Sequence, residues 1–145
     1  MRYELILEGS SGTIKLASLG DSDDVITKTD FLVSQVSLET NDKSDSLFNT
    51  LVIEGEIKDK TQHETKELLN WSLKTAKAEA YKNVTLIVKK NADVIRDYYL
   101  KDMYCVSYQE IFNEEQTSNG KDTYGRFILK MRQRKGAIET IKVDC

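Results

Sequence analysis

The chain has 145 residues, with 21 Lys and Arg against 24 Asp and Glu, so its formal net charge is −3. Apolar residues make up 39% of it and charged residues 31%, which is typical of a globular protein and not of a disordered one. This length predicts a single domain, residues 1–145. The acidic balance disfavours specific binding to nucleic acid, and no apolar run is long enough to span a membrane.

The start of the chain and its cysteines indicate a reducing compartment. The first residues, MRYELILEGS, go straight into a strand pattern, and their apolar run is too short for a signal peptide. The two cysteines, Cys105 and Cys145, cannot form a disulfide framework. We therefore expect two free thiols and assembly in the cytoplasm.

The first 30 residues predict a hairpin and a loop. Tyr3, Leu5 and Leu7 lie on one face of a predicted strand and Glu4, Ile6 and Glu8 nearer the other, and the Gly/Ser cluster at 9–12 predicts a turn. Residues 13–19 can return as the second strand of an N-terminal hairpin. Residues 20–30 contain four aspartates, but their spacing does not match a calcium-binding EF-hand, so we interpret the segment as a solvated loop.

Two further strands are predicted at residues 31–40 and 51–57, where β-branched and apolar residues dominate. The segment between them is polar from residue 41 to residue 46 and ends in Leu47 and Phe48. It is longer than a tight hairpin needs, and long ordered loops are more often functional than short ones. A mobile hairpin tip without function is an equal alternative.

The next segment, residues 61–81, predicts the one long helix of the chain. Thr61 and Glu64 have the spacing of a capping box at its start. An apolar stripe at helical spacing predicts the face that packs on the sheet, with Leu68 and Trp71 on its shoulder: Leu69, Leu73, Ala76 and Ala80.

The remaining chain is again rich in strand patterns. Asn119-Gly120 is a hairpin signal within a polar connection. The predicted strands are residues 84–89, 94–100, 103–112, 124–134 and 137–143. About eight or nine short antiparallel strands usually close into a barrel or fold into a sandwich. We therefore predict a mainly β fold, a small antiparallel β-barrel with one flanking α-helix at about 61–81.

No arrangement in the sequence indicates catalysis. His63 is the only histidine, and no nucleophile or set of metal ligands lies at a recognisable spacing from it. There is no Gly-rich phosphate loop and no zinc-binding motif. We therefore predict no catalytic residues, no cofactor and no metal, and we interpret Trp71 as a core residue and not as a ligand platform.

One strand carries a cluster of cations on its polar side. These are Arg126, Lys130, Arg132 and Arg134, which alternate with the apolar residues of the segment. Such a face could bind phosphate. However, the carboxylates of Glu110, Glu114 and Glu115 can neutralise its positive charge from a neighbouring strand. We predict that the four cations lie on a solvated or inter-subunit face.

Three segments in order resemble a known family. They are Leu68-Leu69-Asn70-Trp71 in the predicted helix, the strand pair 83–100, and the segment KDMYCVSYQEIF at 101–112. This order resembles the tube proteins of type VI secretion systems, the haemolysin-coregulated proteins (Hcp), especially their divergent TssD-type relatives. Those proteins are similar in fold to phage tail-tube proteins. The likeness covers residues 50–143 well and the N-terminal third loosely, and the acidic loop 20–30 departs from it.

The resemblance implies a structural role. It implies hexameric rings of this chain that stack into the inner tube of a contractile injection system, with sheath, baseplate or spike proteins and cargo effectors as partners. It also implies ejection from the cell, no catalytic residues, and a loop that reaches a neighbouring subunit. Residues 39–48 fit that loop, so the predicted contact residues are Asn41, Asp42, Lys43, Ser44, Asp45, Ser46, Leu47 and Phe48. The alternative is a monomeric β-barrel that binds a small ligand or peptide.

Overall fold

The computed structural model describes residues 1–10, 12–17, 25–35, 47–112, 123–134 and 142–144. Its strands are β1 (Arg2–Gly9), β2 (Gly12–Ala17), β3 (Ile26–Gln35), β4 (Leu47–Lys58), β5 (Lys82–Lys90), β6 (Asp93–Ile111), β7 (Thr123–Gln133) and β8 (Lys142–Asp144). The sheet order is β2-β1-β5-β6-β7-β4-β3, with β8 also beside β6, and the recorded pairs are antiparallel. The predicted mainly β fold is confirmed.

The N-terminal hairpin is present as predicted. β1 pairs with β2 along one edge and with β5 along the other. Leu5 and Leu7 are fully buried, which confirms the inward face expected from their alternation. The turn closes with Gly9 opposite Gly12, whose φ of 123° is a conformation that favours glycine.

The two strands predicted at 94–100 and 103–112 form one long strand, β6. Its first part pairs with β5 as far as Met103, and its second part pairs with β7 from Met103 to Ile111. Asp102, with a φ of 53°, marks the place where the pairing changes from one neighbour to the other. β6 therefore belongs to both halves of the sheet. One half contains β2, β1 and β5, and the other contains β7, β4 and β3.

The core lies between these two halves of the sheet. It is filled by large apolar side chains that are almost completely buried, among them Leu5, Leu51, Leu86, Leu100, Met103 and Phe127. Gly55 lies opposite Phe127, and a Cβ at Gly55 would come within 2.6 Å of the phenyl ring. The interior is therefore packed with side chains and holds the two halves together.

The sheet does not close into a complete barrel within the described strands. Its path ends at β2 on one side and at β3 on the other, and no ladder of hydrogen bonds joins these two edges in the described part of the chain. One backbone bond, from Glu56 N–H to the Val25 carbonyl at 2.7 Å, holds the start of β3 near β4. The predicted barrel is thus an open one.

The helix is shorter than predicted. A 3₁₀ turn at Asp59–Thr61 leads into α1 (Gln62–Ser72), and after an irregular turn a single helical turn, α2 (Lys77–Ala80), precedes β5. The two helical pieces are separated by residues 73–76, so the predicted single helix over 61–81 is interrupted. The predicted capping box is wrong as well, because Thr61 makes no side-chain cap and its hydroxyl donates instead to the Lys58 carbonyl at 3.4 Å.

The buried face of α1 also differs from the predicted stripe. Thr65, Leu68 and Trp71 are buried, whereas Leu69 is partly exposed and Leu73 is 71% exposed. Thr65 can be buried because its hydroxyl donates to the Thr61 carbonyl at 3.0 Å, so this hydroxyl is not left without a partner. Leu73 lies after the end of α1, where helical spacing no longer predicts which way a side chain points.

Substitution of Trp71 tests this packing. Its side chain is 3% exposed and its indole N–H donates to the Ala80 carbonyl at 3.0 Å, which ties α1 to α2. We expect Trp71→Ala to lower the free energy of unfolding by about 3–5 kcal/mol. The control is Leu73→Ala, which should change it by about 0.5 kcal/mol or less because Leu73 is exposed. Urea denaturation of both variants measures the difference, and equal effects would contradict the assigned helix face.

Candidate assembly surface

The outward sides of β3, β4 and β7 form one continuous sheet face. Val52 on β4 lies between Asp30 on β3 and Lys130 on β7, and Thr50 lies in the same way between Leu32 and Arg132. Because side chains alternate along each strand, the buried residues Leu51 and Ile53 of β4 point to the opposite side. Leu32 is exposed on this outward face, whereas Thr50 is buried within it at 5% exposure.

The four predicted cations lie on β7 and directly after it, but they do not form one uniform belt. Arg126 is 3.9 Å from the carboxylate of Glu54. Arg132 donates to the Thr50 hydroxyl at 3.4 Å, and its guanidinium lies 5.4 Å from the centre of the Phe48 ring. Arg134 pairs with Asp102 at 2.8 Å, and Lys130 lies opposite Val52 and Ser107. Each arginine thus has its own local partner.

The compensating carboxylate for Arg126 is not the one that the sequence suggested. Glu54 contacts both Arg126 and Lys28, the latter at 3.8 Å. Glu110 lies on the other side of β6, because a register shift between Cys105 and Ser107 reverses the alternation beyond it. There Glu110 accepts a hydrogen bond from the Tyr108 hydroxyl at 3.0 Å. Glu114 and Glu115 lie outside the described residues.

The predicted contact segment, residues 39–48, lies only partly within the described residues. Residues 41–46 lie outside the described residues. Leu47 and Phe48 belong to the start of β4, opposite Gln35 and Ser34, so their assignment to the end of a loop is corrected. Contact of the segment with a neighbouring subunit stays a prediction.

The edge strand β3 exposes apolar side chains on both of its faces. Leu32 is 59% exposed on the outward face, and Val33 is 53% exposed on the other face, beside the buried Asn49. No described strand pairs with the far edge of β3. An uncovered apolar edge strand is a site of pairing with another chain. The sequence signal for it was the run Phe31-Leu32-Val33, which does not alternate.

His63 is not part of a catalytic arrangement in the described part of the structure. Its ring is exposed and lies 3.9 Å from the carboxylate of Glu67, one helical turn away. Among the described residues, no group of three or more His, Cys, Asp or Glu side chains could hold a metal ion. No helix in the described ranges has the length and apolar character needed to cross a membrane.

Two groups on β6 have shifted pKa values. Burial raises the pKa of the Cys105 thiol to about 11, against a smaller opposite effect of a backbone hydrogen bond at Ser107. Burial also raises the pKa of Tyr108, and the hydrogen bond to Glu110 adds to this increase. Both groups are protonated near neutral pH, so Cys105 offers no thiolate for nucleophilic chemistry.

The Cys105 thiol should make stability depend on alkaline pH. Its pKa is about 11 in the folded protein against 9.0 for the reference thiol, so the folded state keeps the proton longer. The free energy of unfolding should therefore fall as the pH rises from about 9 to about 11. We expect a shallower fall in Cys105→Val than in the parent, both measured by urea denaturation in a Cys145→Ser background. Identical pH slopes would contradict the burial of the thiol.

Comparison with known proteins shows the fold through solved structures alone. No family model matches the chain, and no curated protein matches it. It is similar to the crystal structure of an Hcp protein, with a TM-score of 0.63, 14% identity, and coverage of 99% of this chain and 98% of that one. It is also similar to the secreted protein Hcp3 from Pseudomonas aeruginosa, with a TM-score of 0.54, 10% identity, and coverage of 99% and 96%.

A third likeness comes from a prophage baseplate. A chain of the anti-feeding prophage baseplate matches with a TM-score of 0.50, 11% identity, and coverage of 99% of this chain and 92% of that one. At such low identity these likenesses establish the fold. The predicted resemblance to type VI secretion tube proteins and to phage-tail-like tubes is thus confirmed, and the fold is tail-tube-like.

Proposed function

We propose that this chain is a structural subunit that forms hexameric rings, and that the rings stack into the inner tube of a contractile injection system. The observation that carries the proposal is the open sheet of a tube-protein fold, whose edge strand β3 exposes Leu32 and Val33 on opposite faces. The role is one of assembly and not of catalysis.

The open edges suit cyclic assembly. A ring of identical copies presents one edge of each subunit to a different edge of the next, and the arrangement closes without leaving an edge free. Pairing along β3 would supply partners to its outer backbone groups. It would also remove Leu32 and Val33 from water, and burial of each such side chain contributes roughly 1.5–3 kcal/mol.

The packed interior disfavours the alternative of a monomeric barrel with an internal ligand. The side chains of Leu7, Phe127 and Leu129 are fully buried and help to fill the space between the two halves of the sheet. Trp71 is used in packing and in its hydrogen bond to Ala80, so it is not a free ligand platform.

Charged substitution of the β3 edge tests the proposed interface. We expect Leu32→Lys/Val33→Lys to remain folded, because both side chains are mainly exposed, but to lose ring formation, because lysine on an edge strand opposes pairing. Light scattering after gel filtration reports the mass, and circular dichroism reports the fold. The matched control is Leu73→Lys, which places a charge on an exposed leucine far from β3 in the sequence and should assemble like the parent.

The outcomes of this experiment separate the two functions. A parent protein that is monomeric at all concentrations, and also in the presence of sheath and baseplate proteins, would contradict the tube proposal. Rings that form equally well in the Leu32→Lys/Val33→Lys variant would show that β3 is not the interface.

The remaining parts of the proposal follow from the tube role. The segment of residues 39–48 contacts the adjacent subunit or the next ring, and the cations of β7 face the lumen or an interface. The protein assembles in the cytoplasm, associates with sheath, baseplate or spike proteins and cargo effectors, and is ejected with the tube. The description of the Pseudomonas aeruginosa neighbour as secreted supports this last point.

Shortening of the polar segment tests its role. Replacement of residues 41–46 by a short Gly-containing turn should leave the monomer folded, because the change in loop-closure entropy is small. Ring formation or stacking should weaken, as seen by light scattering and electron microscopy. Normal rings and stacks would argue against the assigned contact, and a collapsed β signal in circular dichroism would place the segment in the core.

A further inference from the structure

A polar cleft lies between the N-terminal hairpin and helix α1, outside the packed interior. Its volume is about 480 Å³, within the range of small-molecule sites. One wall is the start of β2 at Gly12 and Thr13. The other wall is a single side of α1 and the turn after it, because His63, Glu67, Asn70 and Lys74 are spaced four, three and four residues apart.

The cleft has a buried ammonium group at its hairpin side. Lys82 is only 3% exposed, and its Nζ donates to the Gly12 carbonyl at 3.4 Å. Burial lowers the pKa of Lys82, and the negative charge of Glu67 partly opposes this decrease. A second ammonium, that of Lys74, is more exposed and lies 3.9 Å from Glu79.

The exposed side chains of Lys74 and His63 retain hydrogen-bonding capacity toward a ligand. The distances of 3.9 Å from Lys74 to Glu79 and from His63 to Glu67 are too long for hydrogen bonds. Two lysines, Lys74 and Lys82, line the cleft with one carboxylate, that of Glu67, among the described lining residues, and Glu79 beside Lys74 is not part of the lining. The apolar residues of the wall, Trp71 and Ile14, are almost completely buried and leave mainly polar atoms at the surface.

We propose that this cleft binds a small oxyanion, the carboxylate or phosphate group of a low-molecular-weight ligand. Lys74 is its charged donor and the side-chain amide of Asn70 is a neutral one, while the buried Lys82 adds positive charge behind the hairpin wall. A cation does not fit, because the one carboxylate among the described lining residues is too few for a metal ion and stands beside two ammonium groups. The inference stands apart from the tube role and uses none of the residues assigned to ring contacts.

The single tryptophan of the chain makes the proposal directly measurable. Trp71 lines the cleft, so its fluorescence reports occupancy. Sodium phosphate and sodium citrate are titrated separately into the whole protein at constant ionic strength, and calorimetry repeats each titration. We expect a saturable change with at least one anion, and the stronger of the two identifies the phosphate or carboxylate class.

Matched variants separate a site from general charge effects. Lys74→Gln should weaken binding about tenfold or more, as expected for loss of a charge-assisted hydrogen bond. Lys66→Gln removes the same charge from an exposed position of α1 outside the cleft and should leave the affinity unchanged. No saturable change with either anion, equal affinity in Lys74→Gln, or equal weakening in Lys66→Gln would overturn the proposal. Ring formation by the same samples is scored separately, so failure here leaves the tube role untouched.

Discussion

The fold depends on one point of strand β6, Asp102, where the pairing of the strand changes from β5 to β7. Here the backbone takes a positive φ, which costs a non-glycine residue free energy and therefore needs support from its surroundings. Asp102 N–H donates to the Asn83 side chain of β5 at 3.2 Å, and the Asp102 carbonyl accepts from Arg134 N–H at 2.8 Å. The Arg134 guanidinium pairs with the Asp102 carboxylate at 2.8 Å. These contacts join the two halves of the sheet at the point where β6 passes between them.

A buried pair of amides extends this junction to β4. Asn49 donates to the Gln133 side-chain carbonyl at 2.9 Å, and Gln133 in turn donates to the Lys101 backbone carbonyl at 3.0 Å. Both side chains are almost completely buried, so loss of either hydrogen bond would leave polar groups without partners in the core. The packing of the apolar interior and the path of β6 are thus set by the same few polar contacts.

Sequence patterns predicted the strands well where apolar and polar residues alternate strictly. The inward faces of β1 and β7 are those expected, because a one-residue shift would expose every apolar side chain. The errors fall where a local event interrupts the period. The bulge beyond Cys105 moved Glu110 away from the cations, and the end of α1 left Leu73 exposed. The position of β3 at the edge of the sheet and the polar cleft depend on contacts between distant segments; the run Phe31-Leu32-Val33 indicates only that β3 is apolar on both faces.

The position of β7 in the sheet has a consequence for the order in which the protein folds. The hairpin of β5 and β6 joins segments that are adjacent in the chain. The pairing of Thr50 in β4 with Arg132 in β7 joins segments that are far apart in it. Such distant pairs form late, since the chain entropy between them has to be lost first. During synthesis β3 and β4 therefore emerge long before the strand that completes their sheet, with Leu32 and Val33 uncovered. Premature association of nascent chains along this edge is the hazard that this topology carries.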